Sequence, residues 1–381
     1  MQDAKPYFYD KLAIHQDHDC ELPNISGERW FIQCTITGEV KRESQAPRQF
    51  EGSHSTSIRV HVRGNRVEVS GNPSRFNRLD NMFGFQSLGD CVAVYNAVLR
   101  ELGLPEFTRC SRTWQGAPDH QGKYRIISDG AVITEIHLTS NQCNGEGMAQ
   151  TVIRALSTIQ YRNSIPYLFT DSNAVTWRSA ANNNRLIRPI VYNKEAELKK
   201  HLLPAITKLF GKESQEAATV ERLIEYCRSN GITRHELNLK SEWLARSGFR
   251  FWGLFDENHL QPIHAEFLNM QNKLQISHTQ TEPVADRLIR LGICNSRQSA
   301  NATASVYLQW LHGHCFSVKG SSLRTHRARL RRIGVEIANP CDLTKFASIH
   351  VIGSRDVVSR PAEVPDWYQM PKRPNGLSLV A

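Results

Sequence analysis

The chain has no run of apolar residues approaching membrane-spanning length. It also has no basic amphipathic stretch that would hold it on a lipid surface. Met1-Gln-Asp-Ala-Lys5 lacks the apolar core of a signal peptide. Nine cysteines are scattered without a Cys-x-x-Cys pair or any zinc-like spacing. An odd thiol count without an export signal predicts reduced cysteines in a cytosolic compartment and no bound zinc. Internal repeats are absent. Positive charge is what the chain has in excess. Over 381 residues, 47 Lys and Arg face 37 Asp and Glu, for a formal net charge of +10 and a pI near 9.2. That balance calls for a polyanionic partner, most simply nucleic acid, and not a membrane. A hydrophobic content of 40% supports real cores, and the length fits two or three domains.

Residues 1–50 are hard to read, apart from a strand-like Trp30 to Ile36. Ser57 to Ser70 reads as a hairpin turned at Gly64-Asn65. Leu88 to Leu102 predicts a helix stopped by Gly103 and Pro105. A strand follows over Ala131 to Asn141, a helix over Gly145 to Tyr161, and a strand over Leu186 to Lys194. Helices are expected near 195–210 and 215–229, and a strand over Thr233 to Leu239. A polar stretch near 265–283 looks like a link. The predicted division is a first domain over 1–265, a linker over 266–283 and a C-terminal domain over 284–381. The last is mainly helical with one short strand and a Pro-rich tail.

Three segments carry chemistry. In Pro189-Ile-Val-Tyr192-Asn-Lys194-Glu-Ala-Glu197, strand alternation puts Tyr192 and Lys194 on one face, with Glu197 a turn later. A phenol beside an ammonium can serve as a nucleophile on phosphorus, because the cation favours the phenolate. The plain alternative is a strand end with a surface lysine and glutamate. In the strand from Ala131, Glu135 and His137 point the same way and can reach one divalent cation, with Glu68 a further carboxylate of the same kind. Such mixed O/N ligation suits Mg²⁺ or Mn²⁺, although a polar outer strand face would look the same. After Glu68 comes the turn Gly71-Asn-Pro-Ser74. Arg75 and Arg78 there can meet phosphates, and Phe76 or Phe83 can stack on a base. The clearest charge signal lies further on. A helix from Leu323 to about Ile333 carries Arg324, Arg327, Arg329, Arg331 and Arg332 and follows an apolar helix, Ala300 to Leu311. That is the order of a helix-turn-helix, with a connection longer than the minimal turn.

Taken in order, these stretches resemble the gene II replication initiators of filamentous phages. Val67-Glu68 through Pro73-Ser-Arg75, with Asn81-Met-Phe83-Gly84, is similar to that family's strand and x-Pro-x-Lys/Arg turn followed by Asn-x-Phe-Gly. Val175-Thr176-Trp177, Tyr192-x-Lys194-x-x-Glu197, Arg234-x-Glu236 and Pro365-Asp-Trp367-Tyr368 follow in the family's order. Glu135 and His137 stand where the family has an Arg-Ile-Asp strand, and the chain has no His-x-His pair. The resemblance implies an α+β nicking domain related to the HUH endonucleases, an antiparallel sheet with flanking helices. A smaller helical DNA-binding domain would follow, one that can be made separately, and Met270 is placed to start it.

The implied reaction is rolling-circle initiation in the host cytoplasm. Tyr192 would nick one strand of the double-stranded phage DNA origin and keep a 5′-phosphotyrosyl link, with Lys194 on the phosphate. Mg²⁺ or Mn²⁺ would sit on Glu135 and His137 with Glu68 or Glu197, and Arg234 and Glu236 would support the site. Arg75, Arg78, Arg324, Arg327 and Arg331 would contact double- and single-stranded DNA. A host helicase and polymerase are the implied further partners. Two rivals stand beside it. One is a tyrosine recombinase built on His326-x-x-Arg329 and Tyr368. The other is a DNA-binding regulator without catalysis.

Overall fold

The structure, a computed structural model, describes residues 5–54, 56–118, 121–122, 124–179, 186–270, 284–311, 313–316, 320–341 and 359–373. Its first unit begins with strands β1 (Phe8–Asp17), β2 (Arg29–Gln33), β3 (Val40–Gln45), β4 (Arg48–Glu51), β5 (Ser57–Arg63) and β6 (Arg66–Gly71), then helix α1 (Leu88–Glu101). Next come β7 (Thr113–Pro118), β8 (Tyr124–Ser128), β9 (Val132–Cys143), α2 (Ala149–Leu156), β10 (Ile165–Leu168), β11 (Ala174–Arg178) and β12 (Ile187–Asn193). Helices α3 (Lys194–Glu197), α4 (Leu203–Phe210) and α5 (Gln215–Asn230) lead to β13 (Ile232–Lys240), α6 (Ser241–Arg246) and α7 (Gln261–Leu268). A π-helical turn, Leu198–Leu202, joins α3 to α4.

The class is α+β, dominated by one antiparallel sheet. Its order is β10-β11-β12-β13-β9-β1-β6-β5-β4, and every pairing is antiparallel. Alternation gives the central strands two unlike faces. On β9 and β13, Ile136, Leu138, Leu237 and Leu239 enter the main core with α1, α2 and α7. Glu135, His137, Thr139, Asn141, Arg234, Glu236 and Asn238 lie on the other face. One end of that face is roofed by a second core, in which Cys143 and Ile232 meet Leu198, Leu202, Ile206, Val220, Leu223 and Cys227 of the α3–α5 layer. Gly231 turns the chain from α5 into β13 in the left-handed region (φ +57°). A Cβ there would lie 1.8 Å from the Gly145 carbonyl oxygen, so only glycine fits.

Several expectations shift. The helix expected from Gly145 is confined to Ala149–Leu156, because Gly145 and Gly147 both take positive φ. Lys194 does not continue the strand. β12 ends at Asn193, whose side chain caps α3 by accepting from the amides of Glu195 (3.1 Å) and Ala196 (3.4 Å). Phe76 and Phe83 are core residues, each 7% exposed, so neither is presented to a base.

Past the first unit lie α8 (Val284–Arg290), α9 (Arg297–Leu311) and α10 (Ser321–Arg332). They pack around Leu288, Ala300, Trp310, Leu330, Ile333 and Ile337. Among the described residues, 284–341 hold helices and no strand. Phe267 and Met270, at the start of the expected linker, are buried in the main core of the first unit; 271–283 lie outside the described residues. The Pro-rich tail over 359–373 also returns to the first unit. Its short strand β14 (Arg360–Pro361) pairs with β9, and Trp367 and Tyr368 pack on the second core.

Candidate active site

Tyr192 lies one residue before the strand-to-helix junction, paired across the sheet with Arg234, which is paired in turn with Asn141. Its hydroxyl donates to Glu236 Oε1 at 2.7 Å. Burial, then the Glu236 carboxylate, pushes the phenol well above its usual range. Because α3 starts at Lys194, the ammonium turns back under the junction. It is 1% exposed, lies 6.0 Å from the centre of the Tyr192 ring and donates to Glu197 Oε2 (2.7 Å) and Asn81 Oδ1 (3.2 Å). Burial, and then Arg234, pull the Lys194 pKa down against the pull of Glu197. Glu197 is pushed up by burial, but Lys194 and Arg234 outweigh that and leave it below the usual carboxylate range.

Arg234 is fully buried. It donates from Nε to Asn141 Oδ1 (3.0 Å) and from Nη2 to the carbonyls of Asn81 (2.7 Å) and Met82 (2.9 Å). Nη1 has no hydrogen-bond partner among the described residues. Burial opposes its charge, but the carboxylates of Asp10, Glu236 and Glu197 around it hold it firmly protonated. Further along the same face, the His137 imidazole stands between two carboxylates. Nε2 meets Glu135 Oε1 at 2.6 Å, and Nδ1 faces Glu236 Oε2 at 3.9 Å. Burial pushes Glu135 up, yet its hydrogen bonds with His137 and Lys240 hold it well below the usual range. Glu236 goes the other way, raised by burial and then by Asp10.

The structure therefore joins Tyr192, Lys194 and Glu197 to Arg234, Glu236, His137 and Glu135. It also brings in Asp10, Asn141 and Lys240, which the sequence reading did not single out, and gives Asn81 a place in the site. Asp10 of β1 accepts from Asn72 and Asn81, each at 2.8 Å. Asn81 and Asn141 fix Lys194 and Arg234, and Lys240 donates to Glu135. Lys240 had a readable signal, since it continues the Arg234-x-Glu236 alternation along β13. Asp10 had none.

Other predicted residues lie elsewhere. Glu68 pairs across β6 with His15 and His61 and faces His61 Nδ1 (3.8 Å) and Arg63 Nη2 (3.7 Å), two strands from Glu135. Arg78 is spent on protein acceptors: the Ser74, Phe83 and Gln369 carbonyls and the Tyr368 hydroxyl. Arg75 lies in the same loop, half-buried. On α10, Arg324 and Arg331 are exposed, whereas Arg327 is locked to Glu336 by two hydrogen bonds of 2.6 and 2.9 Å. His326 and Arg329 bond to Thr303 within the helical unit, while the Tyr368 hydroxyl is held by Arg78, Asp80 and Phe83. Those three members of a recombinase constellation are thus each engaged with other partners.

The face presents a phenol hydrogen-bonded to a carboxylate, a buried ammonium beneath it and a guanidinium with a free donor. That combination suits attack on a phosphodiester, with cations receiving the charge. Among the described residues, no group of three or more His, Cys, Asp or Glu side chains is arranged to hold a metal ion. Glu135 and His137 lie together, and the oxygen and nitrogen chemistry of that pair would suit a hard divalent cation.

The family model for the N-terminal part of the phage replication-associated protein encoded by gene II matches residues 11–273, and the model for its C-terminal part matches residues 288–374. The corresponding replication-associated protein of Escherichia phage If1 is 40% identical over 314 residues, which covers 82% of this chain and 98% of that protein. The chain belongs to the family of phage gene II replication-associated proteins.

Proposed function

We propose that the protein initiates rolling-circle replication by nicking one strand of a double-stranded phage origin with Tyr192, on a face related in chemistry to the HUH endonucleases. The observation that carries this reading is the 2.7 Å hydrogen bond from the Tyr192 hydroxyl to Glu236. It places a base of raised proton affinity on the one phenol that also has Lys194 and Arg234 around it. In the proposed step the Tyr192 oxygen attacks phosphorus while Glu236 takes the phenolic proton. The bond from phosphorus to the 3′ oxygen breaks. The 5′ phosphate stays on the tyrosine, and the departing 3′ oxygen takes a proton from water to become a hydroxyl that a host polymerase can extend. Phosphodiester energy is kept in the phosphotyrosine, so the strand can be resealed without ATP. Lys194 and Arg234, both buried beneath the phenol, would act through space on the negative charge that builds on the phosphate.

Mg²⁺ or Mn²⁺ belongs to this proposal, with Glu135 and His137, which meet at 2.6 Å, as its donors; Glu236 is kept for the proton, and Glu68 lies two strands away. A cation bound by that pair would draw charge from the scissile phosphate. The exposed Arg324 and Arg331 of α10 are placed to hold duplex DNA, a host helicase would follow the nick, and the host cytoplasm is the setting. Among the described residues no helix is long and apolar enough to cross a membrane.

A supercoiled plasmid bearing the phage origin tests the reading. The wild-type chain should convert it to open circles in Mg²⁺ or Mn²⁺, stop on EDTA and leave protein on the DNA. Tyr192→Phe should lose both the nick and the adduct at unchanged origin binding. A Tyr192→Phe protein that still nicks would remove the tyrosine from its role. A wild-type chain that binds the origin and never nicks would favour the regulator.

A further inference from the structure

We infer that Tyr368 is a positioning residue for the nicking site, through which the C-terminal tail sets the loop that holds Arg234 and Lys194. The inference rests on the reading of the Tyr192 face as a nicking site.

The tail enters the first unit step by step. β14 pairs with the end of β9, and the Ala362 amide donates to the Asn141 carbonyl at 2.9 Å. The Tyr226 hydroxyl donates to the Glu363 carbonyl at 2.6 Å, and the Arg222 guanidinium lies 4.3 Å from the centre of the Trp367 ring. The next residue, Tyr368, packs its ring edge-on to Phe83 with 5.1 Å between centres. Its hydroxyl donates to Asp80 Oδ1 (2.7 Å) and accepts from Arg78 Nη2 (2.9 Å) and the Phe83 amide (3.1 Å). One phenol oxygen from the far end of the chain thus ties together three residues of a single loop.

That loop is not a surface detail. The same Asp80 Oδ1 accepts from the Met82 amide at 2.7 Å, which fixes the peptides between them. Those peptides present the Asn81 and Met82 carbonyls to Arg234, and Met82 also accepts from Asn141 at 2.6 Å. The Asn81 side chain bridges Lys194 and Asp10. The path runs from Tyr368 through Asp80 and Phe83 to Asn81 and Met82, then to Arg234 and Lys194, and so to Tyr192. Buried cations held by loop carbonyls lose their placement when the loop shifts, and misplacement by about 1 Å can cost about a hundredfold in rate.

The route of the chain gives the tail a second meaning. The helical unit over 284–341 leaves the first unit after Met270, buried in its main core, and rejoins it at Arg360. The element carrying the basic helix is therefore anchored to the nicking unit on both sides, with Tyr368 as the last anchor.

The test uses the full chain with Tyr368→Phe, which keeps the ring and removes the hydroxyl, and Asp80→Asn as an independent variant. Three readouts are taken. These are single-turnover cleavage of origin DNA at saturating protein, DNA affinity with its salt slope, and hydrogen exchange of the Met82 and Phe83 amides. Positioning predicts a cleavage rate at least tenfold lower, unchanged affinity and salt slope, and at least tenfold faster exchange in both variants. The double variant should be no worse than the weaker single one. Unchanged cleavage and exchange in either variant would overturn the inference, as would cleavage and affinity falling together. If the wild-type chain forms neither nick nor adduct, the nicking reading fails instead, and exchange alone then decides whether Tyr368 holds the loop.

Discussion

At the scale of residues, the site is organised by what each group does to its neighbour's proton. Tyr192 rests protonated because burial and Glu236 both disfavour the phenolate, and the hydrogen bond between them marks the path the proton must take. In the proposed step Glu236 is the better base for being raised, since a carboxylate of ordinary acidity would return the proton at once. Glu236→Gln keeps an acceptor for the phenol and should keep the fold, but it cannot take the proton. Single-turnover nicking should fall by roughly 10²–10⁴, the usual worth of a general base, with the melting temperature nearly unchanged. A rate within a few-fold of wild type would move the base elsewhere. In the proposed step Lys194 does not shuttle this proton; it is paired with Glu197 beneath the phenol.

At the scale of elements, the basic helix α10 divides its arginines by face. Arg324 is exposed, Arg331 is exposed but also approaches Glu336 Oε2 at 3.7 Å, and Arg327 is bound to Glu336 by two hydrogen bonds. Replacing Arg324 or Arg331 by Ala should weaken binding to all duplexes alike and reduce the salt slope by about 1 each. Arg327→Ala should instead lower the stability of the helical unit, because it leaves the buried Glu336 carboxylate without its bidentate partner. Titrations at several salt concentrations, paired with melting curves, separate the two outcomes. The same scale shows what was legible in the sequence. β5, β6 and β13 alternate cleanly and β9 does so from Glu135 onward, so their faces could be read, and Glu135 and His137 do meet. β1 could not be read. Asp10, Lys11, His15 and Asp17 break its apolar pattern, although it lies at the centre of the sheet between β9 and β6, and Asp10 was lost with it. Glu68 was placed on a plausible face, but periodicity along a strand says nothing about distance across the sheet. Asn193 was readable as a helix cap, and that alone would have moved Lys194 off the strand. The Tyr368 contacts join positions 80 and 368, a separation no local pattern encodes.

At the scale of the whole molecule, stability and function share the first unit's two cores. His264 sits fully buried in the main core against Tyr7, with neither ring nitrogen bonded to protein. Burial lowers its pKa from 6.5 to about 4. The unfolded chain takes up a proton that the folded chain excludes. Its contribution to stability is therefore complete above about pH 6.5 and is lost as pH falls toward 4, the loss amounting to roughly 2 kcal/mol at pH 5. His15, lowered to about 4 by burial and then Arg66, acts in the same sense. Melting temperatures measured from pH 7.5 to pH 5 should drop for the wild type and drop less for His264→Phe. An unchanged slope in the variant would assign the acid sensitivity to other groups. The central claim, that one face of this sheet makes Tyr192 a nucleophile, is tested most directly by trapping the protein on origin DNA. The adduct is digested, and the tyrosine carrying the 5′ phosphate is located by mass spectrometry. The account predicts a nucleotide on the peptide containing Tyr192; a nucleotide on Tyr368 or any other tyrosine, or cleavage with no adduct at all, would contradict it.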